Sequence, residues 1–183
     1  QVLRDILVGT TIERVIRTGN WPVLTVNADF GAPYANVLAA VDLSDASADA
    51  VRAARSLGFL DQVSLTVVHA FDAAAKPKMV LADVEEDRIG AYVEQERQRA
   101  TTELQTFMTS LSIDNATWSP YVAEGEAMSV ISRAVESIQP DLLIIGTHGR
   151  SAVAKLLLGS VAEQVLRVLT IDVLAVPRPA SSA

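Results

Sequence analysis

Short aliphatic segments alternate with longer amphipathic segments along most of the chain. The aliphatic segments are rich in β-branched residues and bounded by Gly, Pro or Asp, which is typical of strands in a sheet covered on both faces. They predict strands at residues 37–42, 63–70, 117–122, 142–145 and 172–176. The amphipathic segments predict helices at 46–60, 79–111, 127–138 and 160–169, with a loop at 73–77. This alternation predicts an α/β doubly wound parallel sheet, in which right-handed crossovers put helices on both faces.

The stretch from Asp141 to Val161 joins a buried strand, a glycine-punctuated loop and the start of a helix. Gly146 and Gly149 follow the strand, and Gly159-Ser160 directly precedes the helix. Glycine lets a ligand approach the main chain closely, and a helix start presents free N–H groups in a field that favours anions. The two elements predict a phosphate cradle, although glycines that only turn the chain would leave the same pattern.

The spacing of these residues, G-x2-G-x9-G-[ST], and the segments G-T-H-G-R and L-L-L-G-S-V-A-E resemble the ATP-binding branch of the universal stress protein family. The spacing is neither the dinucleotide G-x-G-x-x-G fingerprint nor a Walker A loop. The resemblance implies an adenine-nucleotide α-hydrolase-like fold, with an open sheet of five parallel strands in the order 3-2-1-4-5. It also implies that ATP, with or without Mg²⁺, binds through Val41, Asp42, Ala70, Ile145, Gly146, His148, Gly149, Arg150, Gly159, Ser160 and Val161.

In a sheet with this strand order, the ligand crevice lies between the carboxyl ends of strands one and four. Asp42 ends the first of these strands and Gly146 ends the second, so both motifs lead to one crevice. Asp42 also fits an N-cap role, but Ser44 or Asp45 stands nearer to the expected cap position and leaves Asp42 freer for a ligand. His69 is interpreted as a packed or edge histidine rather than a catalyst, because no nucleophile or base partner is evident for it.

The first 26 residues repeat the end of the chain at an offset of 150 positions. The repeat predicts the closing helix and last strand of a preceding copy at 1–26, a linker at 27–36, a complete universal stress domain at 37–178 and a tail at 179–183. On this interpretation the chain is a tandem protein without most of its first domain, although such short elements also recur by chance. The identical pairs are Leu7 and Leu157, Gly9 and Gly159, Glu13 and Glu163, Val15 and Val165, Arg17 and Arg167, Val23 and Val173, Leu24 and Leu174, and Val26 and Val176.

Members of the family pair through their fifth strands, so the resemblance implies a partner for the orphan strand near the start of the chain. We expect Pro22 to Val26 to lie antiparallel beside Asp172 to Val176, and whole chains to form a homodimer through these last strands. The helix from Thr10 to Thr18 carries an apolar face of Ile12, Val15 and Ile16. Because the sheet of its own domain is missing, we expect a second chain to cover that face.

Composition narrows the possible classes of function. The net charge of −7 argues against nucleic acid as a bulk partner. The absence of cysteine excludes thiol catalysis, disulfides and Cys-based zinc sites, and the two histidines lie far apart in sequence. The sequence has no apolar run of transmembrane length and no signal peptide at its start, so we expect no membrane insertion and a cytoplasmic location.

The leading hypothesis is an ATP-binding regulatory protein of the stress response that hydrolyses ATP slowly or not at all. Fast phosphoryl transfer needs metal ligands and a base, and no catalytic or metal-ligating residue is assigned here. Arg150 fits equally well a contact to a terminal phosphate and an exposed position in the loop. One alternative is a slow ATPase or nucleotide-transferring enzyme on the same fold, against which the absence of S-G-G-x-D-S and H-I-G-H motifs counts. Another is a dimerisation scaffold with an empty pocket, against which the intact glycine motif counts.

Overall fold

The computed structural model describes residues 13–27, 32–113, 117–148 and 158–177. Strands and helices alternate through this part of the chain, as the hydrophobic pattern predicts. In chain order the elements are α1 (Glu13–Thr18), β1 (Val23–Thr25), β2 (Asn36–Ala40), α2 (Asp45–Ser56), β3 (Ser64–Phe71), α3 (Lys76–Leu81), α4 (Glu86–Ser110), β4 (Trp118–Glu124), α5 (Ala127–Ile138), β5 (Leu142–Gly146), α6 (Ser160–Val168) and β6 (Asp172–Val176).

The described strands form one sheet in the order β1-β6-β5-β2-β3-β4. The last five of these are parallel to one another and follow the expected order, with β2 paired to both β5 and β3. The whole sheet has six strands rather than five, because β1 adds an antiparallel strand at the outer edge of β6. The sheet is therefore mostly parallel, and its strand order reverses between β2 and β5.

Both faces of the sheet are covered by helices, which explains why the strands read as unbroken aliphatic runs. On one face, side chains of β2 and β5 such as Val37 and Ile144 pack in a cluster with Val51 of α2 and Leu104 of α4. On the other face the neighbouring strand positions join a second cluster with residues of α5 and α6; its members include Leu38, Leu143, Val130 and Val165. The predicted doubly wound arrangement of helices follows from this two-sided burial.

The predicted pairing of the orphan strand is confirmed. β1 lies antiparallel to β6, with Leu24 opposite Leu174 and Val23 opposite Ala175. Since β6 also pairs with β5, both of its edges are occupied within this chain. In this arrangement β6 has no free edge for the β6 strand of a second copy. The expectation that two chains form a homodimer by pairing these last strands is therefore wrong.

The helix before β1 packs on the domain that follows it in the same chain, whereas a second chain was expected to cover its apolar face. Ile16 of α1 is only 3% exposed and belongs to the core cluster formed with α5 and α6. Val15 remains 48% exposed, so the cover is partial. Ile12 and the start of the predicted helix lie outside the described residues.

The single helix predicted at 79–111 is two helices, α3 and α4. Asp83, between them, has φ of +54°, a left-handed conformation that ends a right-handed helix. The predicted loop at 73–77 is also too long, because α3 begins at Lys76 with a proline in its first turn. Proline is accepted there because its missing N–H would have no partner inside the helix.

Candidate functional site

The carboxyl ends of β2 and β5 meet at one edge of the sheet, where the strand order reverses. β2 leads into α2 and β5 leads, through the glycine loop, towards α6, so both helices start at this edge. The first N–H groups of each helix have no intrahelical partner and form a positive pole. This edge is the crevice that the sequence predicts at the switch point.

Gly146, the last residue of β5, packs directly on the first turn of α2. A methyl group at this position would lie 3.0 Å from the carbonyl oxygen of Ala46 and 3.2 Å from its carbonyl carbon. Because these are backbone atoms, they cannot move aside as a side chain would. The close packing of β5 on α2 therefore favours glycine here, whether or not a ligand is bound.

Asp42 orders the turn between β2 and α2, which the sequence interpretation did not expect. Its Oδ1 accepts hydrogen bonds from the backbone N–H of Ser44 at 3.1 Å and from the Ser44 hydroxyl at 2.5 Å. Ser44 is the N-cap of α2 and its Oγ accepts from the N–H of Ser47, so the prediction of a cap at Ser44 or Asp45 is confirmed at Ser44. The prediction that this leaves Asp42 freer for a ligand is wrong, since its carboxylate holds the capping residue.

Val41 continues the pairing with β3 beyond the end of β2. Its N–H donates to the carbonyl oxygen of Val68 at 3.0 Å, and its own carbonyl oxygen lies 2.9 Å from Nδ1 of His69. His69 is buried, which confirms its interpretation as a packed histidine. Ala70, the next residue of β3, is half-buried and belongs to the same end of the sheet.

Thr147 links the two halves of the glycine motif, and the sequence analysis missed it. Its N–H donates to the carbonyl oxygen of Val176 at 2.9 Å, and its carbonyl oxygen accepts from the N–H of Gly159 at 2.7 Å. A methyl group on Gly159 would come within 3.2 Å of that same oxygen, so glycine permits the close approach. The start of α6 is thus tied to the end of β5. Only the position of Thr147 between two motif residues could have pointed to it.

His148 follows Thr147 and has one ring nitrogen in a hydrogen bond. Its Nδ1 lies 2.9 Å from the Thr147 hydroxyl oxygen. Its Nε2 is buried and has no hydrogen-bond partner among the described residues. A buried ring nitrogen without a partner is costly, so this atom marks a place where a further polar group is required.

Most of the predicted site residues come together at this edge, but only some of their side chains are free to contact a ligand. Ile145 and Val161 pack against the core, so their side chains are committed to it. Ser160 is exposed in the first turn of α6, beside Gly159 at the N-cap. Gly149 and Arg150 lie outside the described residues.

Other features of the described residues bear on cofactors and membranes. No three His, Asp or Glu side chains within them are grouped in a way that could hold a metal ion. The helices in this part of the chain all lack the combination of length and hydrophobicity that a transmembrane span needs. A groove of about 390 Å³ lies between α4 and β4 and is lined by none of the predicted site residues; its lining is Arg97, Thr101, Pro120, Tyr121, Val122 and Ala123.

The chain is similar in sequence to known proteins over most of its length. The profile of the universal stress protein family matches residues 33–177. Universal stress protein A homolog 1 from Coxiella burnetii is 31% identical over 147 residues, which cover 78% of this chain and 96% of that protein.

Solved structures share the fold. The crystal structure of a functionally unknown protein from Pseudomonas aeruginosa PAO1 matches 96% of this chain with a TM-score of 0.65 and 21% identity. The chain spans only 59% of that longer protein. The crystal structure of a universal stress protein in complex with cAMP matches 79% of this chain and 98% of its own, with a TM-score of 0.50 and 23% identity.

Proposed function

This chain belongs to the universal stress protein family, and we propose that it binds ATP at the carboxyl edge of β2 and β5 as a regulator in the stress response. The observation that carries the proposal is the 2.7 Å hydrogen bond from the N–H of Gly159 to the carbonyl oxygen of Thr147. It holds the free N–H groups at the start of α6 against the end of β5, where the glycine motif predicts a phosphate chain. The phosphates would lie at this positive pole and be bound mainly by main-chain N–H groups.

The adenosine part of the ligand would lie at the ends of β2 and β3, near Val41 and Ala70. Val41 is held by its hydrogen bond to Val68 of β3, and Ala70 is held by its pairing with Ala123 of β4, so backbone pairing builds this wall of the crevice. Asp42 contributes through the turn that it orders at the start of α2. The universal stress protein solved with cAMP supports an adenine nucleotide as the class of ligand. It also makes a cyclic nucleotide the second candidate.

We propose that the bound nucleotide stabilises one state of the protein and is hydrolysed slowly or not at all. Dedicated phosphoryl-transfer enzymes position Mg²⁺ with protein ligands and orient the attacking group. The described residues contain no cluster of carboxylates or histidines suited to that task. Any Mg²⁺ would therefore be carried by the nucleotide phosphates. The proposal places the protein in the cytoplasm, because a protein that binds ATP must be located where ATP is available.

We also propose that the chain corresponds to the second half of a tandem protein. Its first residues repeat its last ones at an offset of 150 positions, and the pairing of β1 with β6 has the register that such a repeat requires. The longer Pseudomonas structure, which matches 96% of this chain, provides further support. In a tandem protein the two copies would form an internal pair through their last strands.

Native mass spectrometry of freshly purified protein tests the ligand class without assuming it. The proposal predicts a population with the added mass of ATP or its hydrolysis products. Added ATP, AMP and cAMP should then compete for the same stoichiometric site. Occupancy by cAMP at concentrations where ATP does not bind would favour the second candidate, and no adduct with any of the three would contradict both.

A further inference from the structure

The Thr147 hydroxyl determines which nitrogen of His148 carries the proton. Thr147 is 1% exposed, so its hydroxyl hydrogen needs an acceptor inside the protein. Among the described residues, the recorded neighbour of this hydroxyl is Nδ1 of His148 at 2.9 Å. If Nδ1–H donated instead, the hydroxyl hydrogen would need a second acceptor, which those residues do not supply. The satisfied arrangement therefore has Thr147 donating to an unprotonated Nδ1.

This arrangement leaves the proton of the neutral ring on Nε2. Nε2 is buried and without a partner in the described part of the chain, so it is a donor that still needs an acceptor. It belongs to the loop that follows β5, next to the start of α6. Phosphate oxygens accept hydrogen bonds and carry negative charge, so a phosphate can supply the acceptor that Nε2–H needs. A group that only donates hydrogen bonds could not.

We infer that Thr147 is a positioning residue that holds His148 as the Nε2–H tautomer, so that this N–H donates to a phosphate of the bound nucleotide. The inference rests on the proposed function for the identity of the acceptor. The tautomer of His148 does not depend on the proposed function, because it is a property of the protein alone. The two parts are therefore tested separately.

His69 provides an internal reference of the opposite kind. Its Nδ1 lies 2.9 Å from the carbonyl oxygen of Val41, and a carbonyl can only accept. The neutral ring of His69 must therefore carry its proton on Nδ1. The chain has only two histidines, so their two sets of ring signals can be separated with one variant, His148→Asn.

The tautomer is tested by long-range ¹H–¹⁵N correlation spectra of the full chain at about pH 8, above the ordinary pKa of histidine. We expect His148 to show the Nε2–H pattern and His69 the Nδ1–H pattern. Thr147→Ser, which keeps the hydroxyl, should preserve the His148 pattern, whereas Thr147→Val should change it. A wild-type His148 in the Nδ1–H form, or an unchanged pattern in Thr147→Val, would overturn the assignment of Thr147.

The acceptor is tested by comparing the affinities for ATP and adenosine. Thr147→Val and His148→Asn should each weaken ATP binding about tenfold or more, because each variant loses a charge-assisted hydrogen bond to a phosphate. Adenosine has no phosphate, so its binding should stay within about twofold of the wild type. Thr147→Ser should restore ATP binding to within about twofold of the wild type.

Thr25→Val is the matched control for loss of a buried hydroxyl. Thr25 is also a buried threonine, and its hydroxyl has no hydrogen-bond partner among the described residues. Its variant should bind ATP like the wild type, and circular dichroism checks that every variant is folded. If ATP binds the wild type but binds Thr147→Val equally well, the phosphate contact is wrong while the proposed function stands. If ATP does not bind the wild type at all, the proposed function and the phosphate contact both fail, and the spectra still decide the tautomer.

Discussion

Leu24 lies opposite Leu174 at the centre of the β1–β6 ladder, and the two residues are equivalent positions of the 150-residue repeat. The local twofold axis that relates the two strands therefore passes through this pair. The two side chains nevertheless differ in environment, with Leu24 37% exposed and Leu174 1% exposed. β6 has the rest of its domain beside it, whereas β1 is the edge strand of the described sheet.

A tandem chain should remove this difference between Leu24 and Leu174. We predict that a preceding copy, fused before residue 1, buries the outer edge and exposed side chains of β1. Hydrogen exchange measured by mass spectrometry should then show residues 23–26 protected as strongly as 173–176. In the chain as it stands, protection of 23–26 should be weaker. Equal protection in both forms would contradict the tandem interpretation.

The hydroxyl of Tyr34 donates to Asp172 at 2.6 Å and clamps the segment before β2 to the start of β6. Burial, then the hydrogen bond and the negative charge of Asp172, raises the pKa of Tyr34 to about 12. Because the folded-state pKa lies above the unfolded value near 10, the stabilisation is complete below about pH 10 and is lost as the pH rises towards 12.

Tyr34→Phe should therefore lower the free energy of unfolding by about 1–3 kcal/mol at pH 7, as expected for a hydrogen bond to a charged group. The variant should also lack the part of the alkaline decline that Tyr34 causes between about pH 10 and 12. Urea unfolding at pH 7 and at about pH 10.5 measures both effects. Equal stability of the two proteins at pH 7 would show that the clamp contributes nothing.

Gly146 and Gly90 make a matched pair for testing the packing of β5 on α2. Gly146→Ala should destabilise the protein by about 1–3 kcal/mol, because the added methyl group meets the backbone of Ala46 and the strand must shift. Gly90→Ala, in the second turn of α4 with nothing within 4 Å of the new methyl group, should stabilise it by up to about 1 kcal/mol. Denaturant unfolding of both variants checks the opposite signs, and a neutral Gly146→Ala would contradict the close contact.

Turnover distinguishes the regulatory proposal from the enzyme alternative. We predict ATP hydrolysis well below about 1 per second, the lower end of the range typical of kinases. Phosphate release from purified protein with Mg²⁺ measures it directly. A rate of about 1 per second or faster would favour the alternative of an ATPase or nucleotide-transferring enzyme.

The strands and helices that bury aliphatic side chains could be predicted from the sequence, since burial itself produces the pattern. β1 was paired correctly because a repeat carries information about a partner far along the chain. The break at Asp83 could not be predicted, because the hydrophobic pattern does not report the left-handed backbone conformation of a single residue. The contact between Tyr34 and Asp172 joins positions 138 residues apart and leaves no local trace.

The candidate site was predicted in its location but only partly in its chemistry. Motif spacing identified Gly159 and the start of α6, because a close backbone approach requires glycine. It did not identify Thr147, whose role depends on hydrogen bonds to residues of β6 and α6. Asp42 was assigned to the ligand, although its hydrogen bonds to Ser44 depend on the conformation of the turn.

Calorimetric titration of the wild type and of Gly149→Val with ATP decides whether the glycine loop belongs to a nucleotide site. We expect stoichiometric binding to the wild type and none to Gly149→Val, because a valine side chain would fill the space that the phosphates need. Thermal unfolding should show that the variant is folded. Wild-type protein that binds no ATP, or a folded Gly149→Val with unchanged affinity, would contradict the assignment of this edge of the sheet as a nucleotide site.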